Sequence, residues 1–167
     1  MQLSLLNQQD QTAFTESLKD IFEHSPWIPK ATWIARPFGS IDNLHDKLCE
    51  TLDAATEDKK LDLIRAHPDL AGKLAVAGEL TDFSTAEQAS AQLDKLTAEQ
   101  FERMTQLNQS YKEKFGFPFI ICVKEHTQAS IFEHFEERVN NDATAELDAA
   151  LYQIKRIAWH RLNDLIK

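Results

Sequence analysis

The clearest structural pattern in the sequence is LDAALYQIKRIAWHRLNDL, residues 147–165. Its apolar side chains recur every three or four positions, which places them along one face of an α-helix. They are Leu147, Leu151, Ile154, Ala158, Leu162 and Leu165. With a rise of about 1.5 Å per residue, such a helix is long enough to span a small domain. The sequence therefore predicts a long C-terminal helix.

The N-terminal third of the chain repeats this spacing in shorter segments. Apolar residues including Phe14 and Leu18 predict a first helix from about residue 10 to His24, which Ser25-Pro26 ends. Residues 26–39 contain three prolines and two tryptophans, and we expect them to form a structured loop.

Two further helices are predicted before residue 70. Ser40 is suited to cap a helix that continues through Leu52. The next helix must end near His67, because Pro68 disfavours helical backbone in the residue before it. His67 is therefore presented at a helix C-terminus.

Sequences typical of capping boxes predict helix starts in the second half of the chain. They occur at residues 84–87 (Ser-Thr-Ala-Glu) and 97–100 (Thr-Ala-Glu-Gln). The helix that follows the second box should end at Gly116. Thr127 can cap another helix, which ends before a turn at residues 140–142.

Residues 117–123 form the one continuous apolar run, which is short and does not alternate with polar residues. We expect it to be a buried extended connector, and one strand-like piece does not make a sheet. The predicted fold is all-α: a single-domain multi-helix bundle over residues 1–167, with a long C-terminal helix and no significant sheet.

The charge balance argues against two classes of partner. The chain has 18 basic and 27 acidic side chains, a formal net charge of -9. This charge opposes binding to nucleic acid phosphates and to anionic membranes. An anionic ligand would need a local basic group.

The N-terminal residues lack the features of a signal peptide, and no segment approaches the length of a membrane span. Cys49 and Cys122 are far apart and lack metal-ligand spacing, which suits reduced thiols in a reducing compartment. These observations predict a cytoplasmic protein.

Several known chemistries have no signature in this chain. It lacks a Gly-rich phosphate loop, a Gly-x-Ser-x-Gly elbow, a His-Glu-x-x-His motif and the Glu-x-x-His pairs of di-iron bundles. We therefore expect no metal site.

His67 is the first candidate for chemistry. The dipole at a helix C-terminus favours protonated imidazole, which suits a group that donates a proton near neutral pH. From this fragment alone, the simpler explanation is favoured: a histidine that ends a helix before a proline and has no chemical role.

Two further candidates also have ordinary structural explanations. Ser84, Glu87 and Gln88 can serve as a helix cap, as an anion-binding helix start, or as both. Arg161 lies on the flank of the apolar stripe of the last helix, where it could extend its charge to solvent or bind a carboxylate in a bidentate manner.

The motifs together resemble one enzyme family over most of the chain. They are Glu23-His-Ser-Pro-Trp27, Arg36-Pro-Phe38, His67-Pro-Asp-Leu-Ala-Gly72, Ser84-Thr-Ala-Glu-Gln88, Asn108-Gln-Ser-Tyr111, Phe115-Gly-Phe-Pro-Phe-Ile-Ile-Cys-Val-Lys124 and Ala158-Trp-His-Arg-Leu162. In this order they resemble the 2-oxo-4-hydroxy-4-carboxy-5-ureidoimidazoline (OHCU) decarboxylases, which form (S)-allantoin in urate degradation. The resemblance implies an all-α lyase without metal or organic cofactor, commonly a homodimer.

The resemblance also implies a set of site residues. His67 corresponds to the catalytic proton donor, and Glu87 orients or polarises it. The implied substrate-binding residues are Pro68, Ser84, Thr85, Ala86, Gln88, Phe119, Ile120, Ile121, Cys122, Val123 and Arg161. The segment from Phe119 to Val123 would contribute backbone amides and carbonyls, and Arg161 would hold an anionic or carbonyl group.

The implied reaction is chemically feasible without a cofactor. Loss of CO2 leaves an electron pair that the conjugated ring of the substrate can accept, if hydrogen-bond donors stabilise the developing charge. Protonation from one face by His67 would set the (S) configuration.

Two alternatives remain open at the level of the sequence. A non-catalytic helical interaction module could use the aromatic residues Trp27, Trp33 and Phe38 to bind a partner. A related enzyme could hydrolyse a ureide ring instead of releasing CO2.

Overall fold

The computed structural model describes residues 1–72, 78 and 80–167, and within them it contains helices and turns but no strand. This confirms the predicted all-α class. The α-helices are α1 (Leu3–Gln8), α2 (Gln11–Leu18), α3 (Trp27–Thr32), α4 (Ile41–Asp53), α5 (Glu57–Ala66), α6 (Asp82–Ser90), α7 (Ala98–Phe115), α8 (Gln128–Arg138) and α9 (Ala143–Leu165). Short 3₁₀ turns occur at Trp33–Ala35, Leu93–Lys95 and Val123–Glu125.

Most predicted helix ends are confirmed by their caps. The Ser40 hydroxyl accepts the Asn43 amide at the start of α4. Complete capping boxes begin α7 at Thr97 and α8 at Thr127. Gly116 ends α7 in the left-handed conformation, with φ of 74°. These signals act within four residues, so the sequence is sufficient to locate them.

Two expectations for the N-terminal third are wrong. Helix α2 ends at Leu18 rather than at His24, and part of the expected loop at residues 26–39 is helix α3. Pro26 and Pro29 lie at the N-cap and in the first turn of α3, where amide groups have no partner within the helix. Proline therefore starts this helix instead of excluding it.

The expected capping box at residues 84–87 is also wrong. Helix α6 begins at Asp82, and the Thr81 hydroxyl caps it by accepting the Ser84 amide. Ser84 lies in the first helical turn and is buried. Thr81 has the same capping chemistry as Ser84, and the local pattern did not separate them.

The chain divides into two compact units. The terminal unit comprises residues 1–66 and 155–167, and the central unit comprises residues 67–154. Helix α9, at 23 residues, confirms the predicted long C-terminal helix and contributes to both units. A single domain over the whole chain stays a prediction.

In the terminal unit, α3 packs against α2 and α4. The last part of α9 is bound to α4: the Lys155 carbonyl lies 2.8 Å from His45 Nε2, and Trp159 Nε1 donates to Asp42 at 3.0 Å. Fully buried apolar side chains form the core: Leu6, Phe14, Leu18, Ile28, Leu44, Leu48, Leu52, Ile64, Ala158 and Leu162.

The central unit has an aromatic core around Tyr111. The Tyr111 ring contacts four phenylalanine rings at centroid distances of 4.5 to 6.0 Å: Phe115, Phe117, Phe119 and Phe135. The predicted connector at residues 117–123 is buried along its whole length, as expected, and it belongs to no sheet. Its last residue, Val123, begins a 3₁₀ turn.

Among the described residues, no helix combines the length and the apolar composition that crossing a membrane requires.

Candidate active site

His67 directly follows the last residue of α5, as predicted, and it is 9% exposed. All six histidines are described, and the other five are half-buried or exposed. The pKa of His126 is lowered by burial and by the neighbouring His134. His67 is therefore the one histidine of the chain that is embedded in the protein.

A tight turn follows His67 and Pro68. The Gly72 amide donates to the Asp69 carbonyl at 3.4 Å, and Ala71 has a φ of 48°. A β-carbon on Gly72 would lie 2.7 Å from the β-carbon of Asp69, so glycine is required for this geometry. We refer to residues 67–72 as the His67 turn.

Helix α6 holds the His67 turn through Gln88. Gln88 Oε1 accepts the Ala71 amide at 2.9 Å, and Gln88 Nε2 donates to the Asp69 carbonyl at 3.4 Å. Ser84 lies one helical turn earlier, and both side chains are buried. The structure thus brings Gln88 into direct contact with the turn that carries the predicted proton donor.

The other predicted residues of α6 are more exposed. Glu87 is half-buried, while Thr85 and Ala86 are exposed. Because α6 starts at Asp82, Glu87 is beyond the first turn and does not close a capping box. The capping explanation for Glu87 is therefore removed, and its catalytic role stays a prediction.

The connector residues from Phe119 to Val123 are at most 5% exposed. The Phe119 ring stacks on Phe135 with centroids 3.9 Å apart. The Ile120 carbonyl accepts Arg138 Nη1 at 2.7 Å, and the Cys122 amide donates to Gln153 Oε1 at 2.8 Å. These two backbone groups already have hydrogen-bond partners within the protein. Fewer backbone groups of the connector are therefore available to bind substrate, as the resemblance implies they do.

Helix α6 also packs against the 3₁₀ turn at Val123–Glu125, where the connector ends. The central unit therefore brings together three of the predicted segments: the His67 turn, the block at residues 84–88 and the end of the connector.

Arg161 belongs to the terminal unit and is 1% exposed. Its Nη1 donates to Glu23 Oε2 and to the Asp20 carbonyl, each at 3.0 Å. The alternative of an arginine that extends to solvent is wrong, because the guanidinium is buried. The predicted substrate contact of Arg161 is untested.

Sequence reasoning did not identify the carboxylate at Arg161 or a buried asparagine on α7. Glu23 belongs to a motif that carried the family resemblance, but it was assigned no role. Asn108 belongs to another such motif, and its Nδ2 donates to the Leu70 carbonyl of the His67 turn at 2.9 Å. Membership in these motifs was the signal that could have found both residues.

Aromatic side chains of the segment at residues 26–39 pack and form hydrogen bonds within the terminal unit. Phe38 is buried and stacks on Phe14, and Trp33 Nε1 donates to the Gln9 carbonyl at 3.1 Å. The Arg36 guanidinium lies 4.1 Å from the centroid of the Trp33 ring. These contacts stabilise the unit, which weakens the case for an interaction module.

The fold and the site define a class: an all-helical protein with one buried histidine on a turn that helix side chains hold. The chain matches the family described as OHCU decarboxylase over residues 7–163. It belongs to the OHCU decarboxylase family.

Individual proteins support this assignment. The 2-oxo-4-hydroxy-4-carboxy-5-ureidoimidazoline decarboxylase of Halalkalicoccus jeotgali is 42% identical over 96% of this chain and 89% of that protein. The uric acid degradation bifunctional protein PucL of Bacillus subtilis is 40% identical over 96% of this chain, which spans 32% of PucL. The crystal structure of (S)-allantoin synthase is similar with a TM-score of 0.78 and 26% identity, over 99% of this chain and 54% of that chain.

Proposed function

We propose that this protein decarboxylates 2-oxo-4-hydroxy-4-carboxy-5-ureidoimidazoline to (S)-allantoin and CO2 in urate degradation. The observation that carries the proposal is the family match over residues 7–163, which includes each predicted site segment. The name of the Bacillus subtilis relative supports the pathway, and the name of the similar crystal structure supports the product.

In the proposed mechanism, the bond between the ring carbon and the carboxylate carbon breaks and CO2 leaves. The electron pair passes into the conjugated ring nitrogen and carbonyl system of the substrate. His67 then donates a proton to the ring carbon from one face, which sets the (S) configuration. Its burial supports this role, because a dry site excludes solvent as a competing proton source.

Glu87 is proposed to orient His67 or to polarise it. The position of Glu87 on α6 supports this role, because the same helix holds the His67 turn through Gln88. Ser84 and Gln88 are proposed to bind polar groups of the substrate's ring or of its ureido substituent. Pro68, Thr85 and Ala86 are proposed to complete the wall of the substrate-binding pocket.

The connector is proposed to contribute backbone groups and apolar surface. The Cys122 amide has one proton and already donates it to Gln153, so it is the least suited of these groups to bind substrate. The backbone of Phe119 and Ile121 and the amide of Ile120 are better candidates. The apolar side chains Phe119, Ile120 and Ile121 favour departure of the carboxylate as neutral CO2.

Arg161 is proposed to bind an anionic or carbonyl group of the substrate. Glu23 supports this role by fixing the guanidinium in one orientation, so that less side-chain entropy is lost on binding. Because the net charge of the chain is -9, a positioned cation is needed to attract a carboxylate.

Three further parts of the proposal concern the protein as a whole. We propose that it acts without a metal or organic cofactor, as a homodimer, in the cytoplasm. Full activity after dialysis against a chelator would agree with metal-independent action. A solution mass of twice 19.1 kDa would agree with a homodimer.

The proposal is tested by oxidising urate with the upstream enzymes, adding this protein last, and following CO2 release together with circular dichroism of allantoin. We expect faster CO2 release and an optically active product. His67→Ala should abolish the chiral signal but keep the helical spectrum, and Glu87→Gln should lower the rate at an unchanged melting temperature. Racemic product at the uncatalysed rate would contradict the proposal.

A further inference from the structure

The His67 turn contains a backbone conformation that its own residues do not favour. Ala71 has a φ of 48°, in the left-handed region where a β-carbon is disfavoured. The turn's own backbone bond, from the Gly72 amide to the Asp69 carbonyl, is long at 3.4 Å. Such a conformation persists only where surrounding groups hold it.

Two side-chain amides from different helices hold this turn at a single peptide group. The Leu70 carbonyl and the Ala71 amide belong to the same peptide unit. Asn108 Nδ2 on α7 donates to the carbonyl at 2.9 Å, and Gln88 Oε1 on α6 accepts from the amide at 2.9 Å. We refer to Asn108 and Gln88 as the amide clamp.

The clamp opposes the movement that would relieve the strain. Rotation of the Leu70–Ala71 peptide changes the φ of Ala71, and a flip would bring it to a favourable negative value. That flip would point the carbonyl at Gln88 Oε1 and the N–H at Asn108 Nδ2, which breaks both hydrogen bonds and places like groups together. The two amides therefore fix the orientation of the peptide.

Asn108 does not satisfy its own polar groups in this position. The side chain is 6% exposed, and its Oδ1 has no hydrogen-bond partner among the described residues. Rotating the amide to exchange its ends would set Oδ1 against the Leu70 carbonyl, so the orientation is determined by that contact. Burying an unpaired acceptor lowers stability, so Asn108 is not the residue that stability alone would favour.

We propose that Asn108 is a positioning residue for His67, which acts with Gln88 to lock the Leu70–Ala71 peptide and thereby the turn that follows the histidine. This inference rests on the proposed function of His67. Asn108 acts through the turn, so its loss should affect the catalytic step more than substrate binding.

The test compares two variants of Asn108 with a matched control. Asn108→Ala removes the donor, and Asn108→Asp keeps the shape but places an oxygen against the Leu70 carbonyl. The control is Asn7→Ala, because Asn7 binds the amide and carbonyl of Phe38 in the terminal unit, both at 2.9 Å. We expect both Asn108 variants to lower kcat roughly 10- to 100-fold with little change in KM, and Asn7→Ala to retain kcat per folded molecule.

A rescue variant separates positioning from general destabilisation. Ala71→Gly removes the steric cost of positive φ, so the turn should keep its conformation with less support from the amide clamp. We expect Asn108→Ala with Ala71→Gly to recover at least about threefold in kcat over Asn108→Ala alone. If both Asn108 variants keep wild-type kcat while the wild type is active, or if Ala71→Gly gives no recovery, the inference is overturned.

A measurement without substrate distinguishes failure of this inference from failure of the proposed function. Hydrogen exchange of the Ala71 amide should accelerate at least about tenfold in Asn108→Ala and remain unchanged in Asn7→Ala. An inactive wild type would refute the proposed function while this measurement still tests the clamp. Unchanged exchange in Asn108→Ala would overturn the clamp whatever the activity.

Discussion

Each unit contains a buried arginine–glutamate pair, and the two pairs are built differently. In the central unit, Glu146 is fully buried and accepts from Arg138 at 2.9 to 3.2 Å, from Asn141 and from the Tyr111 hydroxyl. Arg138 also donates to the Ile120 carbonyl. This network joins α7, α8, α9 and the connector.

The pair in the terminal unit has a different composition. Arg161 Nη1 is divided between the Glu23 carboxylate and the Asp20 carbonyl. Under the proposed function, the central pair supports the connector and the terminal pair supports an arginine that binds substrate. Both arginines are buried and both have a carboxylate partner, so these two features do not by themselves identify a functional arginine.

The largest expected effect is on stability and comes from breaking the central pair. Arg138→Met leaves the buried Glu146 carboxylate without its main partner, which should lower the free energy of unfolding by about 3 to 5 kcal/mol. Urea unfolding followed by circular dichroism measures this loss. Adding Glu146→Leu should recover part of it, and a single-variant loss below about 1 kcal/mol would contradict the network interpretation.

The next effect is on activity and comes from the terminal pair. Arg161→Lys keeps the charge but loses the planar fork of donors, so kcat/KM should fall about 100-fold, equivalent to about 2.7 kcal/mol in the barrier. The control is Arg36→Lys, since Arg36 binds backbone carbonyls in the same unit and should affect stability alone. If Arg161→Lys keeps kcat/KM within about threefold, the two buried pairs are equivalent and both are structural.

The smallest effect comes from the Tyr111 hydroxyl. Tyr111→Phe should lower the free energy of unfolding by about 1 to 2 kcal/mol and leave kcat/KM unchanged, while exposed Tyr152→Phe should change neither.

Burial, followed by the bond to Glu146, raises the pKa of Tyr111 above its usual value of 10. Because the folded pKa is above the unfolded pKa, this contribution is complete below pH 10 and is lost as the pH rises further. Wild-type stability should therefore fall above pH 10, and an equal fall in Tyr111→Phe would assign it to other groups.

The site was predictable to the extent that its residues lie in local patterns. His67 was placed correctly because Pro68 ends a helix at a fixed distance. The start of α6 was placed wrongly because Thr81 and Ser84 are equivalent caps in a local window. Arg161 was a candidate from its place beside the apolar stripe of the last helix, and the resemblance implied its substrate contact, but neither assigned Glu23 as its partner.

The all-helical class, most of the predicted helix boundaries and the long C-terminal helix follow from local sequence, because caps and apolar spacing act over three or four residues. Which polar groups form hydrogen bonds depends instead on tertiary packing. Gln88 is 17 residues from Ala71, Asn108 is 38 from Leu70, and Arg161 is 138 from Glu23. Contacts over such separations depend on how helices pack, so no local pattern encodes the amide clamp or the Arg161–Glu23 pair.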